Sequence, residues 1–277
     1  MTGTPHICLN GELLDGRDER CPTHRLLHTN YIYAAVNTAG HRPLYPEKQL
    51  ACAAASYGKL YGKPPRLDAD RIGQDIAALL DADRMPRLGN VAYVHLLPPD
   101  GADREAEPDI LVTAGPSTIY RGYELISIRP KAVLTNYEIP FCGHRTAVSL
   151  AASRYMQGFA ERAGCHIALH CNRAGQLVSC GDYPVFLARD GVLLTPPTET
   201  FPACTERELM WRACVLAGIP VAERPLSASE IPGADEVMVF NHTGLQSVLS
   251  LGSCYFYNLL ALRLERVLRT VTEEGLR

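Results

Sequence analysis

The segment from Lys131 to Phe186 restricts the possible folds of this chain more than any other. An apolar run at residues 132–139 reads as a strand and leads into a turn, Cys142-Gly143-His144-Arg145. Val148, Ala151, Ala152, Tyr155, Met156 and Phe159 then recur at helical spacing, and Gly164 closes the helix. Residues 166–171 and 176–178 read as strands about an Asn-Arg-Ala-Gly turn. The following GDYPVFLARDGVLLTPPTE predicts a strand, an Asp190-Gly191 hairpin turn and a second strand. This order of elements predicts an α/β (α+β) fold.

The remainder of the chain agrees. HICLNGELL at residues 6–14 predicts a hairpin turning at Asn10-Gly11, and residues 24–45 predict two strands around Thr38-Ala39-Gly40. Residues 46–61 predict a helix facing inward with Leu50, Ala53, Ala54, Tyr57 and Leu60. A second helix over 68–83 starts at an Asp68 cap. Residues 90–97 and 109–113 predict strands about a polar loop at 98–108, and the Gly/Pro/Ser/Thr content of 115–122 predicts a linker. The expected division is an N-terminal lobe at 1–117, a linker at 118–124 and a C-terminal lobe at 125–277. A helix over 206–217 ends at Gly218, and residues 254–272 predict a long amphipathic helix.

With 277 residues and a net charge of -3, the chain has no polybasic footprint, so neither nucleic acid nor an anionic membrane is an expected partner. No apolar run is long enough to span a bilayer, and the N-terminus lacks the basic and apolar regions of a signal peptide, so the expected compartment is the cytoplasm. The 10 cysteines are scattered among apolar neighbours without a Cys-x-x-Cys pair, which predicts free thiols and no structural zinc. Cys165, His166, His170 and Cys171 resemble a ligand set in print. On a strand, however, the two histidines share one face and the two cysteines the other, so no metal is expected. Lysine occurs only at 48, 59, 63 and 131.

The order of elements resembles the class IV aminotransferases, the fold-type IV pyridoxal-phosphate (PLP) enzymes that include branched-chain and D-amino-acid aminotransferases and aminodeoxychorismate lyase. The resemblance implies a two-lobed architecture with the active-site cleft between the lobes, and a homodimer. It also implies a lysine at the strand-to-helix turn forming an imine with PLP, and a glutamate on a later strand pairing with the pyridine nitrogen. Those positions fall on Arg145 and Ser179. The family's phosphate-gripping arginine in the 46–61 helix falls on Gln49. Its Gly-Ile-Thr-Arg phosphate loop falls on Cys204, Thr205, Glu206 and Arg207, and its later threonine-rich contact on Asn241, His242 and Thr243. Its early aromatic is kept at Tyr33, while the glutamate after it is Ala34.

These substitutions predict a small-molecule enzyme that has lost PLP. The expected catalytic groups are His144, Arg145, Cys142, Tyr137 and His242, and the expected substrate contacts are Arg207, Tyr33, Thr243 and Ser179. A guanidinium holds a carboxylate through paired hydrogen bonds but cannot form an imine, and histidine suits proton transfer near neutral pH. A buried salt bridge is an equal reading of Arg145. Cofactor independence is expected, with substrate bearing a carboxylate and a setting in specialised metabolism by analogy. A non-catalytic partner subunit is the second reading. A PLP enzyme using Lys131 is the third, set against the plainer role of a solvated strand-end lysine.

Overall fold

The computed structural model describes residues 5–99, 106–201 and 204–276. Most of the loop expected at 98–108 therefore lies outside the described residues. The chain divides into two compact units. One is the chain up to Gly122 with Arg145–Ala147 and the C-terminal end from Gly275, and the other is Tyr123–His144 with Val148–Glu274.

The first unit is a six-stranded antiparallel sheet with its two long helices on one face. Its elements are β1 (His6–Leu9), β2 (Glu12–Asp15), α1 (Thr23–His28), β3 (Ile32–Ala39), β4 (Arg42–Pro43), α2 (Pro46–Tyr61), α3 (Ala69–Ala82), β5 (Gly89–Leu97) and β6 (Asp109–Thr118). The strand order is β2-β1-β6-β5-β3-β4. Side chains alternate across the pleat. Ala34, Val36, Ala92 and Val94 therefore meet Leu50, Tyr57, Ile72, Ile76 and Leu80 of α2 and α3 in one core, while Tyr33, Tyr93 and His95 occupy the opposite face. Asp68 caps α3 by accepting from the Arg71 amide at 3.0 Å.

Two expectations change here. Residues 23–28 form a helix where strand was expected, entered from Pro22, and THRLLH lacks the alternation a strand needs. The expected linker begins inside β6, which runs through Gly115 and Pro116 to Thr118. A register shift between Asn90 and Ala92 of β5 accommodates it. Gly115 is required there, because a Cβ would lie 2.7 Å from the Tyr93 ring and 2.8 Å from the Val91 carbonyl oxygen.

The second unit is an 11-stranded mixed sheet. Its elements are β7 (Glu124–Ile126), β8 (Lys131–Thr135), α4 (Ala147–Arg162), β9 (Ile167–Cys171), β10 (Leu177–Cys180), β11 (Tyr183–Arg189), β12 (Val192–Thr195), α5 (Thr205–Ala217), β13 (Val221–Glu223), β14 (Glu236–Asn241), β15 (Gly244–Ser247), β16 (Ser250–Leu251), β17 (Cys254–Tyr255) and α6 (Leu259–Glu274). The path runs β17-β16-β8-β9-β10-β11-β14-β15-β7, with β12 and β13 branching from β11. β8 and β9 are parallel and joined through α4, the crossover that parallel strands require. Leu169, Leu177, Val185, Leu187, Val237 and Val239 form the core of the sheet.

The helical period in α4 is as expected, but its buried stripe is Ser149, Ala152, Met156 and Ala160. Val148, Tyr155 and Phe159 are exposed. The expected 254–272 helix begins only at Leu259, because Cys254 and Tyr255 pair with Leu251 and Ser250 as a strand. The buried Glu236 carboxylate fixes that start by accepting from the Leu260 and Ala261 amides at 2.5 and 3.1 Å. All 10 cysteines are free. No helix among the described residues is long and apolar enough to cross a membrane.

Candidate functional site

Arg145 follows the Cys142–His144 turn and belongs to the first unit. Its carbonyl accepts from the Tyr33 amide at 2.8 Å, and Thr146 bridges Ile32, so β3 fixes this short segment. The buried guanidinium donates from Nη1 to Gln49 Oε1 at 3.1 Å. Gln49 is itself buried on α2. A hydrogen bond thus joins two positions 96 residues apart. Tyr33 is buried on the same strand segment, its ring edge-on to Tyr93.

In the second unit, the segment after β8, the adjacent ends of β9 and β10, and residues 199–200 enclose a cavity of about 370 Å³. Cys142 and Ser179 lie on its wall, with Sγ and Oγ 3.4 Å apart. Burial pushes the Cys142 thiol up to about 12, opposed in part by the Ser179 hydrogen bond. The group is therefore a neutral thiol at physiological pH and has little of the thiolate that nucleophilic chemistry needs. His170, the register partner of Ser179, also lines the cavity. Burial lowers its pKa to about 4, opposed in part by the Tyr137 backbone, so its imidazole is neutral.

The other expected residues are placed separately. His144 donates its amide to the Phe141 carbonyl at 2.8 Å, and its own carbonyl accepts from Ser149 Oγ at 3.2 Å. Ser149 also meets the buried Asp182 carboxylate at 3.0 Å. Tyr137 is exposed, with its ring near Tyr155. The Tyr183 hydroxyl hydrogen-bonds His242 Nδ1 and fixes that ring. Asn241 Oδ1 accepts from the Thr243 amide, the Thr243 hydroxyl and the Gly244 amide at 2.9, 2.7 and 3.1 Å. Arg207, buried in the first turn of α5, donates to the Pro196 carbonyl at 2.7 Å and pairs with Glu223 at 3.0 Å. Glu206 beside it is fully buried. Lys131 is the exposed first residue of β8. His166 Nδ1 accepts from the Lys131 amide, and no group of three or more His, Cys, Asp or Glu among the described residues could hold a metal.

Residues 35–251 match the family model for amino-transferase class IV. The chain belongs to that family. No curated protein matches it, but solved structures of the class IV fold do. A branched-chain aminotransferase from Thermoproteus uzoniensis, solved with norvaline, is 16% identical over 98% of this chain and 96% of that one, with a TM-score of 0.82. A branched-chain amino acid aminotransferase from Escherichia coli is 17% identical over 97% and 94%, with a TM-score of 0.78. A putative 4-amino-4-deoxychorismate lyase from Legionella pneumophila is 19% identical over 89% and 93%, with a TM-score of 0.73. At these identities the structural likeness establishes the class IV fold.

In this class IV member the cavity brings together two of the expected residues, Cys142 and Ser179, with His170, Glu138 and Glu199, which the sequence expectations did not include as site residues. These three lie on a strand and in two loops, and no spacing in the sequence joins them. The only signal was the even-numbered strand face carrying His166 and His170.

Proposed function

We propose that this class IV family member does not hold PLP as an imine and works as a cofactor-independent enzyme on a small carboxylate-bearing substrate. The hydrogen bond between Arg145 and Gln49 carries the reading. At the position where the family resemblance calls for an imine lysine stands a guanidinium that keeps its proton near neutral pH. At the phosphate-arginine position stands the neutral amide that receives its hydrogen bond.

The other positions assigned to PLP fit it no better. Ser179, at the pyridine-partner position, has no charge to offer a protonated nitrogen and is turned to the Cys142 thiol. The Thr243 donors are taken up by Asn241 Oδ1. Glu206 brings a buried carboxylate to the helix start where a phosphate would bind, and like charges repel. All four lysines, at 48, 59, 63 and 131, are exposed.

In this reading Arg145 binds and orients the substrate carboxylate through paired donors. Tyr33 lies beside it on β3 as an apolar contact. His144, the residue before Arg145 in the chain, is the proton-transfer group of this reading. The family resemblance adds a homodimer to the proposal.

The test uses the purified protein mixed with PLP, reduced with borohydride and mapped by mass spectrometry. The expected result is a colourless protein without a phosphopyridoxyl adduct. Titration with 2-oxobutyrate should show saturable binding that Arg145→Ala abolishes. A reduced adduct on Lys131, or 2-oxobutyrate affinity unchanged in Arg145→Ala, would overturn the proposal.

A further inference from the structure

THRLLH folds as α1, and its turn sets His24 and His28 next to each other on the exposed side of the helix. Their ring centres are 4.4 Å apart and the rings are tilted by 38°. We propose that the two imidazoles chelate one divalent transition-metal ion that takes its ligands at right angles, of the Ni(II) or Cu(II) kind. The helix that carries them is anchored by its other residues. Arg25 donates to the Leu97 and Pro98 carbonyls at 2.8 and 2.6 Å and pairs with Asp109. Leu26 and Cys21 pack against Ile7, Leu14, Leu97 and Leu111, which sets the Cys21 thiol against the core.

Two observations point to a metal. Both side chains are exposed, and their one contact among the described residues is with each other, so no ring nitrogen of either is taken up by a hydrogen bond. A neutral imidazole in that state has a lone pair open to an ion. The ring separation is the second observation. An imidazole nitrogen lies about 2.1 Å from its ion, which puts the ring centre about 3.2 Å away. Two imidazoles at a right angle on one ion then have centres about 4.5 Å apart, against about 5.2 Å at the tetrahedral angle of zinc. The observed 4.4 Å fits the right angle. No group of three or more His, Cys, Asp or Glu surrounds the pair among the described residues, so water fills the other coordination positions. Elsewhere His41, His95 and His170 are buried, and Asp83 and Tyr183 engage the Nδ1 atoms of His6 and His242. The site goes beyond the role proposed for Arg145 and does not depend on it.

The test is calorimetric titration of the full, tag-free chain with NiCl2, an ion that leaves the free thiols reduced. The parent should bind one Ni(II) with a dissociation constant of about 0.1 mM or tighter. His24→Gln and His28→Gln, both on exposed side chains, should leave the metal-free unfolding midpoint in place and each weaken Ni(II) binding at least about tenfold, because a single imidazole does not chelate. His166→Gln, which removes an exposed histidine elsewhere, should bind as the parent does. Saturating Ni(II) should raise the unfolding midpoint of the parent and of His166→Gln but not of the other two variants. The proposal is overturned if the parent binds no Ni(II), if either His24→Gln or His28→Gln keeps the parent's affinity, or if His166→Gln loses it.

Discussion

Arg145 Nη1 and Gln49 Oε1 meet at 3.1 Å inside the first unit, each side chain less than a tenth exposed. A hydrogen bond to a charged donor is worth about 1.5–3 kcal/mol, and its loss leaves a buried group unsatisfied. Gln49→Ala should therefore destabilise the protein by about 2 kcal/mol, a midpoint shift of about 5 °C at this chain length. Gln49→Met keeps the volume but not the acceptor and should cost nearly as much. Thermal unfolding of the two variants separates the hydrogen bond from packing, and a Gln49→Met midpoint equal to that of the parent would refute the contribution.

Cys142 should resist alkylation. A thiol moved from 9.0 to about 12 holds about a thousandfold less thiolate at a given pH, and thiolate is the reacting form. Peptide mapping after iodoacetamide treatment of the native protein at mild alkaline pH should find Cys142 unmodified until denaturant is added. Rapid native labelling of Cys142 would show the opposite electrostatic setting and return it to the list of nucleophiles.

Acid should weaken the fold through two buried histidines. His95 and His170 both fall from 6.5 to about 4, each chiefly because burial penalises the imidazolium. The unfolded chain protonates first, so both contributions are complete above pH 6.5 and are lost as pH falls toward about 4. Each has a limiting slope of about 1.4 kcal/mol per pH unit in that window. Glu230, held near 2 by Arg224, acts in the same direction only at lower pH, while Asp75, raised by burial, opposes over the carboxylate range. Urea unfolding from pH 7 to pH 5 should show a falling midpoint, and His95→Gln with His170→Asn should flatten it.

Much of the fold was legible in the sequence, because periodicity and turn chemistry are local. The α2 limits at Pro46 and Tyr61, the Asp68 cap and the Asn10-Gly11 and Asp190-Gly191 turns all follow from neighbouring residues. The buried face of α4 did not, since Val148, Tyr155 and Phe159 have the apolar character of a core stripe but are exposed. Period alone identifies a helix without saying which stripe meets a neighbour. The Arg145–Gln49 contact could be approached only by setting family positions side by side. His170 as a cavity residue depends on the β9–β10 register, which no single segment encodes.

Gly244 offers a backbone test of the turn that holds Thr243. It sits at φ +141°, and a Cβ would lie 2.2 Å from the Glu124 carbonyl oxygen across the parallel β15–β7 pairing. Its amide is one of the three donors to Asn241 Oδ1. An L side chain there is strained at about 1–3 kcal/mol before any clash is counted. It must also push β7 away from β15 or break the Asn241 turn. Gly244→Ala should therefore cost at least about 2 kcal/mol and raise hydrogen exchange at the Thr243 and Gly244 amides selectively. Asn241→Ala, which removes the acceptor and leaves the backbone free of strain, should raise exchange at the same two amides with a smaller loss of stability. If Gly244→Ala matched the parent in both readouts, the close approach of β7 to β15 would be wrong, and with it the account of how the Thr243 donors are held.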